Sequence, residues 1–597
     1  MRVSDYIADF IYELGVEDVF MLTGAGIMHL TDGVACHEKL RAVCVHHEQS
    51  AAMAVDGYAR ANENIGVAYF TTGPGVTNAL TGVVGAWQDS VPCLFISGQV
   101  KRKETSFNSG TRQLRQFGVQ ELNVLPIVES VCKYSTMLND PQDIRYELEK
   151  AVYIAKSGRP GPVWIDIPMD VQSAKIDPKL LKGFKSTDKK LEISKNSIKK
   201  VVGLLKISKR PVVIAGRGVR LAKGLEALSK FVKNFNIPVV TPYLGIDNIC
   251  HSRKEYIGKT GVKGDRPANL AMQNADLIIS IGSSLHVTVI GYEYNHFARE
   301  AKKIVVDIDE TSHRKKTIDI DHFIQGDAKE FLNQLHIVCD QNKLPDFSRW
   351  LDQCSQLKKQ YPVCLPEYAD TKDAINIYSF VDQLSLQSAE GDVFVADTGS
   401  ALYAISQGVK LFKPNQRYIP SGAMATMGFS LPAAIGISIA LGRKRVLAIT
   451  GDGSLQQNIQ ELQTVVQYNL PIKLFVLNND GYLSIRNSQK TYFDQRFIGE
   501  SEESGVSFPD TLKIADAYGI NSYRVSNLNA LEKVIAKALN FQGPVICDII
   551  IPREQLIIPT VSSRVNEDGS MSSRPLEDMF PFLDREEYRK NLFIKEV

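Results

Sequence analysis

The sequence predicts an α/β protein of three doubly wound parallel-sheet domains followed by a C-terminal tail. Three segments each alternate short, β-branched apolar runs with longer helical stretches, the pattern of parallel βαβ units. At 597 residues the chain is too long for one core. Polar, strand-poor connectors separate the segments, which places the domains at 1–175, 190–345 and 374–552, with the tail at 553–597.

The first segment carries the runs Gly66-Val67-Ala68-Tyr69-Phe70-Thr71, Pro92-Cys93-Leu94-Phe95-Ile96-Ser97 and Val163-Trp164-Ile165-Asp166-Ile167. A lysine-rich stretch from Ser173 to Lys200 reads as a solvated linker. The middle segment holds Pro211–Gly216, Asp276–Gly282 and Lys303–Asp309, and a second polar connector spans Gln341 to Asp373. The third holds Val393–Ala396, Val446–Thr450 and Ile472–Leu477, and matches the first in rhythm. The tail reads as strand-poor and packed over another part of the molecule.

Bulk properties exclude several classes of function. A net charge of +2 gives no case for nucleic acid or an anionic membrane as partner. No run of about eighteen apolar residues is present, so no membrane span is predicted. Charged residues from Arg2 onward argue against a signal peptide, and the 9 cysteines, scattered without a C-x-x-C, suit reduced thiols in the cytoplasm.

The chemistry is concentrated in the third segment. Gly451-Asp452-Gly453-Ser454 closes one apolar run, and after residues 454–477 Asn478-Asn479-Asp480-Gly481 closes the next. Glycines let backbone N–H groups approach phosphates, and Asp452 and Asn479 offer the hard oxygens that a small dication takes. Ligands would then sit at the carboxyl ends of two strands, where open parallel sheets bind cofactors. In the first segment, Val45-His46-His47-Glu48-Gln49-Ser50-Ala51-Ala52 places one carboxylate between a strand and a small-residue helix.

Taken together, these strings resemble the thiamine-diphosphate (ThDP) enzymes, nearest to the acetolactate synthase large-subunit branch, over almost the whole chain. The branch's run is repeated as His47-Glu48-Gln49, Ala51-Ala52 and Gly57-Tyr58-Ala59-Arg60. The resemblance makes Glu48 the catalytic acid, which protonates pyrimidine N1′ so that the 4′-amino group becomes basic. It places Pro74 and Asn78, in Thr71-Thr72-Gly73-Pro74-Gly75-Val76-Thr77-Asn78, beside that pyrimidine. It also implies diphosphate contacts from Thr398, Gly399 and Ser400, from Gly451, Asp452, Gly453 and Ser454, and from Asn479, Gly481, Tyr482 and Leu483. Ala425 would hold the amino group with its carbonyl, and Met427 would wedge the coenzyme's bend. Mg²⁺ would be held by Asp452, Asn479 and the Gly481 carbonyl. In the family the first and third segments meet between subunits, implying a homodimer or homotetramer.

The implied reaction is attack on a 2-oxo acid, most simply pyruvate, with loss of CO₂ and then either aldehyde release or carbon–carbon bond formation. Pyruvate decarboxylases carry a glutamate where this chain has Ile485, which favours carboligation. True acetolactate synthases carry a tryptophan where Ser488 stands. They also carry an arginine-containing flavin run where this chain reads Ser283-Ser284-Leu285-His286-Val287-Thr288, leaving FAD undecided. Gly24-Ala25-Gly26-Ile27-Met28-His29, the segment 482–489 and Ser573-Arg574-Pro575-Leu576-Glu577-Asp578-Met579 resemble relatives associated with surface-sugar biosynthesis. Some of those transfer a two-carbon acyl unit to a keto-sugar nucleotide. Ala25, His29, Gln120, Ile485, Arg486 and Ser488 are accordingly the substrate-binding candidates, with Arg486 facing a phosphate and Gln120 touching the donor acid. A non-ligating decarboxylase and an inactive regulatory or assembly homologue are the competing expectations.

Overall fold

The apolar runs named above all become strands of six-stranded parallel sheets in the computed structural model, which describes residues 1–188, 191–369 and 373–597. In spatial order the first sheet is Arg41–Cys44, Asp18–Met21, Gly66–Phe70, Cys93–Gln99, Val163–Pro168 and Tyr134–Met137. The third is Arg417–Pro420, Val393–Ala396, Val446–Gly451, Ile472–Asn478, Val545–Ile550 and Asn521–Val525. Counted within each sheet, both follow the order 2-1-3-4-6-5, so the shared rhythm is a shared topology. The middle sheet instead runs His322–Gln325, Lys302–Asp307, Leu277–Ile281, Pro211–Ala215, Val239–Thr241, Tyr256–Lys259, the order 6-5-4-1-2-3 of a dinucleotide-fold sheet.

Central strands are buried on both faces and so read as continuous apolar runs: Gly66–Phe70, Cys93–Gln99 and Val393–Ala396 are buried throughout. The edge strands Arg41–Cys44 and Tyr134–Met137 are largely exposed or half-buried and show no such run. The two connectors are more structured than the sequence suggests. Ser194 caps a helix at Lys195–Ile207, inside the lysine-rich stretch. Ser348–Gln360 is also a helix, burying Trp350, Leu351, Cys354 and Leu357 at helical spacing. Lys189, Lys190 and residues 370–372 of these connectors lie outside the described residues.

The first and third domains are joined through the helices Glu48–Asn62 and Ser430–Ala440, whose backbones nearly touch. A Cβ built on Gly436 would lie 1.8 Å from the Ala54 carbonyl oxygen, and one on Gly57 would lie 2.4 Å from that of Ala433. This approach explains the run of small residues after Glu48. Ser50 Oγ also donates to Asn458 Oδ1 at 2.8 Å across the same boundary, fully buried.

The tail packs against the middle domain. Asn269 Nδ2 donates to the Leu576 carbonyl at 3.0 Å, and the buried Glu577 accepts from Gln273 at 2.6 Å and pairs with Arg299 at 2.7 Å. The tail holds four strands, of two or three residues each, in two short antiparallel ladders. Among the described residues no helix is long and apolar enough to cross a membrane.

Candidate active site

Both 2-1-3-4-6-5 sheets reverse direction between their first and third strands, and ligands bind open parallel sheets at such a switch. In the first sheet the loops leaving that point are 22–27 and 71–75; in the third they are 397–400 and 451–454. The predicted site residues therefore cluster where topology alone would place a ligand.

On the first domain, Glu48 begins the Glu48–Asn62 helix, with His47 Nδ1 accepting the Gln49 N–H at 3.1 Å as its cap. Glu48 is 5% exposed, and its Oε2 accepts a hydrogen bond from Asn78 Nδ2 at 3.0 Å. Gly75 leaves room for this carboxylate: a built Cβ would already touch Glu48 Oε1 at 3.4 Å. The loop holding Ala25 lies on the same turn, since the Gly26 N–H donates to Thr71 Oγ1 at 3.2 Å. Gln120 reaches it from the other side. Its backbone is left-handed (φ 61°), and its carbonyl oxygen would lie 2.4 Å from a Cβ on Gly73, itself at φ 66°. Pro74 opens the Pro74–Gln88 helix that carries Asn78. Ala25 is exposed and His29 half-buried.

On the third domain, Asp452 opens a short helix and is 6% exposed. Its Oδ1 accepts from the Gly453 N–H at 2.8 Å, and its Oδ2 from the N–H groups of Asn479 and Gly481, both at 3.2 Å. Burial pushes its carboxyl up to about 6, and among the described residues no cationic side chain pairs with it. A bound dication would relieve that desolvation. One carboxylate, one amide oxygen and one main-chain carbonyl suit Mg²⁺, which keeps its remaining positions for phosphate and water. Among the described residues no cluster of three His, Cys, Asp or Glu side chains offers an alternative centre.

The remaining predicted residues fall around this cluster. Thr398 caps the Gly399–Gly408 helix; Gly399 is left-handed (φ 60°), and its built Cβ would lie 3.2 Å from Ser484 Oγ. The 397–400 loop, with Ser400 on that helix, therefore faces the Leu483–Tyr492 helix. The Tyr482 ring lies over Gly453, where a Cβ would come within 2.3 Å of it. Ala425 is left-handed (φ 51°), a conformation that a non-glycine residue adopts only when its surroundings hold it. Met427 is half-buried, and the neighbouring Ser454 and Leu483 are buried.

The structure overturns one substrate assignment. Arg486 does not face an acceptor phosphate; it is 6% exposed and points beneath the 479–481 turn. Its Nε pairs with Glu500, its Nη1 donates to the Arg553 carbonyl at 2.8 Å, and its Nη2 donates to the Asp480 carbonyl at 3.0 Å. In a ten-residue helix, which residues turn inward depends on partners far along the chain. Ile485 (45% exposed) and Ser488 form the open face instead, although Ser488 Oγ donates to its own helix at the Ser484 carbonyl, 2.8 Å away.

Three supporting acids are not among the candidate site residues. Asp397 is fully buried and pushed up to about 6 by that burial. It accepts from Thr398 N–H at 3.1 Å and Thr450 Oγ1 at 2.8 Å, and so ties the 397–400 loop to the end of the Val446–Gly451 strand. In the sequence it heads the string Asp397-Thr398-Gly399-Ser400 at the end of an apolar run. Asp89 caps the 421–429 loop from the first domain, and Glu500 neutralises Arg486; neither has a local signature.

In the middle domain, the run set against the family's flavin segment bonds with itself. His286 Nδ1 lies 3.1 Å from Thr288 Oγ1 and accepts the Thr288 N–H at 3.3 Å.

Residues 1–125 match the family described as thiamine pyrophosphate enzyme, N-terminal TPP binding domain. Residues 198–335 match its central domain and 397–549 its C-terminal TPP binding domain. The chain is 32% identical over 571 residues to an acetolactate synthase large subunit of Cyanidium caldarium, covering 93% of this chain and 94% of that protein. It is 32% identical over 550 residues to acetolactate synthase isozyme 3 large subunit of Escherichia coli (strain K12), covering 90% and 92%. A Lactococcus lactis acetolactate synthase large subunit is 30% identical, with 95% of each chain covered. With glycine-containing loops at both switch points and these matches along nearly the whole length, the chain belongs to the thiamine-diphosphate enzymes, as a member of their acetolactate-synthase-like branch.

Proposed function

We propose that the protein is a Mg²⁺-dependent 2-oxo-acid decarboxylating carboligase that takes pyruvate as donor and passes a two-carbon acyl unit to a carbonyl acceptor. The observation that carries carboligation over aldehyde release is the open face of the Leu483–Tyr492 helix. Beside the Gly399 loop it presents Ile485 and Ser488, and the helix contains no acid that could protonate the donor carbon. Bound ThDP supplies the electron sink for decarboxylation. Glu48, oriented by Asn78, would hold a proton at the pyrimidine. Asp452, Asn479 and the Gly481 carbonyl would hold the metal, and the carbonyl of the left-handed Ala425 would hold the amino group. No step requires a flavin.

The acceptor is a 2-oxo acid or a keto-sugar nucleotide; the small Ser488 side chain leaves space for the larger one. Incubation with ThDP, Mg²⁺, ¹³C-pyruvate and each acceptor class, followed by mass spectrometry, tests this. Labelled ligated product supports it. Acetaldehyde alone would point to the simple decarboxylase, and no turnover with ThDP bound to the inactive homologue, which retention of Glu48, Asp452 and Asn479 disfavours.

The functional unit on this reading is a homodimer or homotetramer with the site between subunits, in the cytoplasm. All contacts of the Glu48 carboxylate named here are to its own domain, while the metal donors are on the third. The loops bordering the two halves leave large apolar side chains uncovered: Val119 is 85% and Ile498 74% exposed, with Phe117 and Phe493 alongside. The unpaired state of all nine cysteines suits a reducing compartment. Light scattering with and without ThDP measures the assembly.

A further inference from the structure

Arg486 is a buried cation directly under the turn that offers two of the three metal donors. Besides Arg553 and Asp480, its Nη1 lies 3.3 Å from Asn479 Oδ1, the oxygen assigned to the metal, and 3.4 Å from the Asn479 carbonyl. A side chain at Gly481 would crowd this guanidinium and its partner: a Cβ there would lie 2.1 Å from Arg486 Nη2 and 2.3 Å from the Glu500 carbonyl oxygen. Glu500 is the counterpart. Its carboxylate pairs with Arg486 Nε, its Oε1 accepts from Ser501 Oγ at 2.6 Å, and its carbonyl accepts the Tyr482 N–H at 2.8 Å. In the largely exposed segment 493–505, Glu500 and Ser501 are the buried residues.

A guanidinium beside a metal donor is a problem in electrostatics. It fixes the orientation of the Asn479 amide, because only the oxygen can accept its N–H. Unscreened, it would also repel an incoming dication at close range in a low-dielectric setting. Glu500 removes the repulsion and leaves the orientation. We propose that Arg486 is the positioning residue of the metal turn and that Glu500 is its charge balance, the two acting as one neutral brace. This rests on the reading of Asp452, Asn479 and Gly481 as metal donors.

The test uses Mn²⁺ as probe, on the full-length protein with ThDP, with free Mn²⁺ read by electron paramagnetic resonance and thermal midpoints measured without metal. If the wild-type protein binds no Mn²⁺, the metal reading itself fails. If it binds, Arg486→Lys, which keeps the charge but loses the planar fork, should weaken Mn²⁺ binding about tenfold, the range for residues that orient metal ligands. The neutral double variant Arg486→Met/Glu500→Gln should weaken it similarly. Glu500→Gln alone should weaken it more than the double variant does, because the charge is then unscreened. Should that single variant not fold, the other two still decide. High Mg²⁺ should restore turnover in Arg486→Lys. Lower thermal midpoints with an unchanged Mn²⁺ dissociation constant in both Arg486→Lys and the double variant would reduce the brace to a structural cross-link and overturn the proposal.

Discussion

Asp89 reaches from the first domain to the third and accepts the Gly422 backbone N–H at 2.9 Å, while its other oxygen takes that of Ala423 at 2.8 Å. The same carboxylate pairs with the buried Arg60 at 2.8 Å, and Arg60 donates to the Pro420 carbonyl at 3.0 Å. Arg217 of the middle domain donates to the Asp89 carbonyl. The loop that carries Ala425 and Met427 is therefore held by groups from another domain. Asp89→Asn turns one acceptor into an N–H facing an N–H, and a buried charged hydrogen bond contributes about 1.5–3 kcal/mol. The expected result is ThDP binding about tenfold weaker by calorimetry, with a lowered unfolding midpoint.

Glu48→Gln keeps an oxygen for Asn78 and removes the acid. ThDP should still bind, while pyruvate turnover falls by at least about 100-fold, the scale of positioned acid–base catalysis. Exchange of the coenzyme's C2 proton, followed by NMR, should slow in parallel. Full exchange in this variant would show that Glu48 is not the acid.

Gly436 faces the Ala54 carbonyl, and a methyl group there meets backbone rather than a movable side chain. Overpacking of this kind costs about 1–3 kcal/mol or more. Gly436→Ala should therefore lower the unfolding free energy by about that amount, read as an earlier midpoint in urea. Gly442→Ala serves as the contrast: its built Cβ meets nothing within 4 Å, so what changes there is the left-handed backbone (φ 70°), without an interdomain clash.

Asp166, fully buried in the first sheet, is pushed up to about 7 by desolvation, although Ser97 Oγ at 2.6 Å and Gln99 Nε2 at 3.0 Å donate to it. The folded state thus keeps a proton that the unfolded chain loses near 3.8. Its contribution is complete below that value and declines as pH rises to about 7, by about 1.4 kcal/mol per unit. Urea unfolding at pH 5, 6 and 7 should show this slope removed in Asp166→Asn. Parallel profiles for the two proteins would mean that Asp166 is ionised throughout.

What the sequence determined by itself was local. A parallel strand covered on both faces must be a continuous apolar run, so three strands of each sheet were visible, although the interior strands Asp18–Met21, Val239–Thr241 and Val545–Ile550 were not singled out. A turn that admits phosphate needs adjacent glycines, so Gly451–Ser454 was visible too. Glu48 stood out only because it sits in a longer familiar string. Tertiary structure decided the rest, because burial of a polar side chain depends on a partner that the neighbouring sequence does not contain. Asp89 lies 333 residues from the backbone it caps. Arg486, polar in a polar helix, read as facing a substrate phosphate, whereas Glu500 and the 479–481 carbonyls close around it. Long-range pairing of charge in a low-dielectric interior leaves no periodicity behind, which is why the glycine turns could be read from the motifs and the buried charges that support them could not.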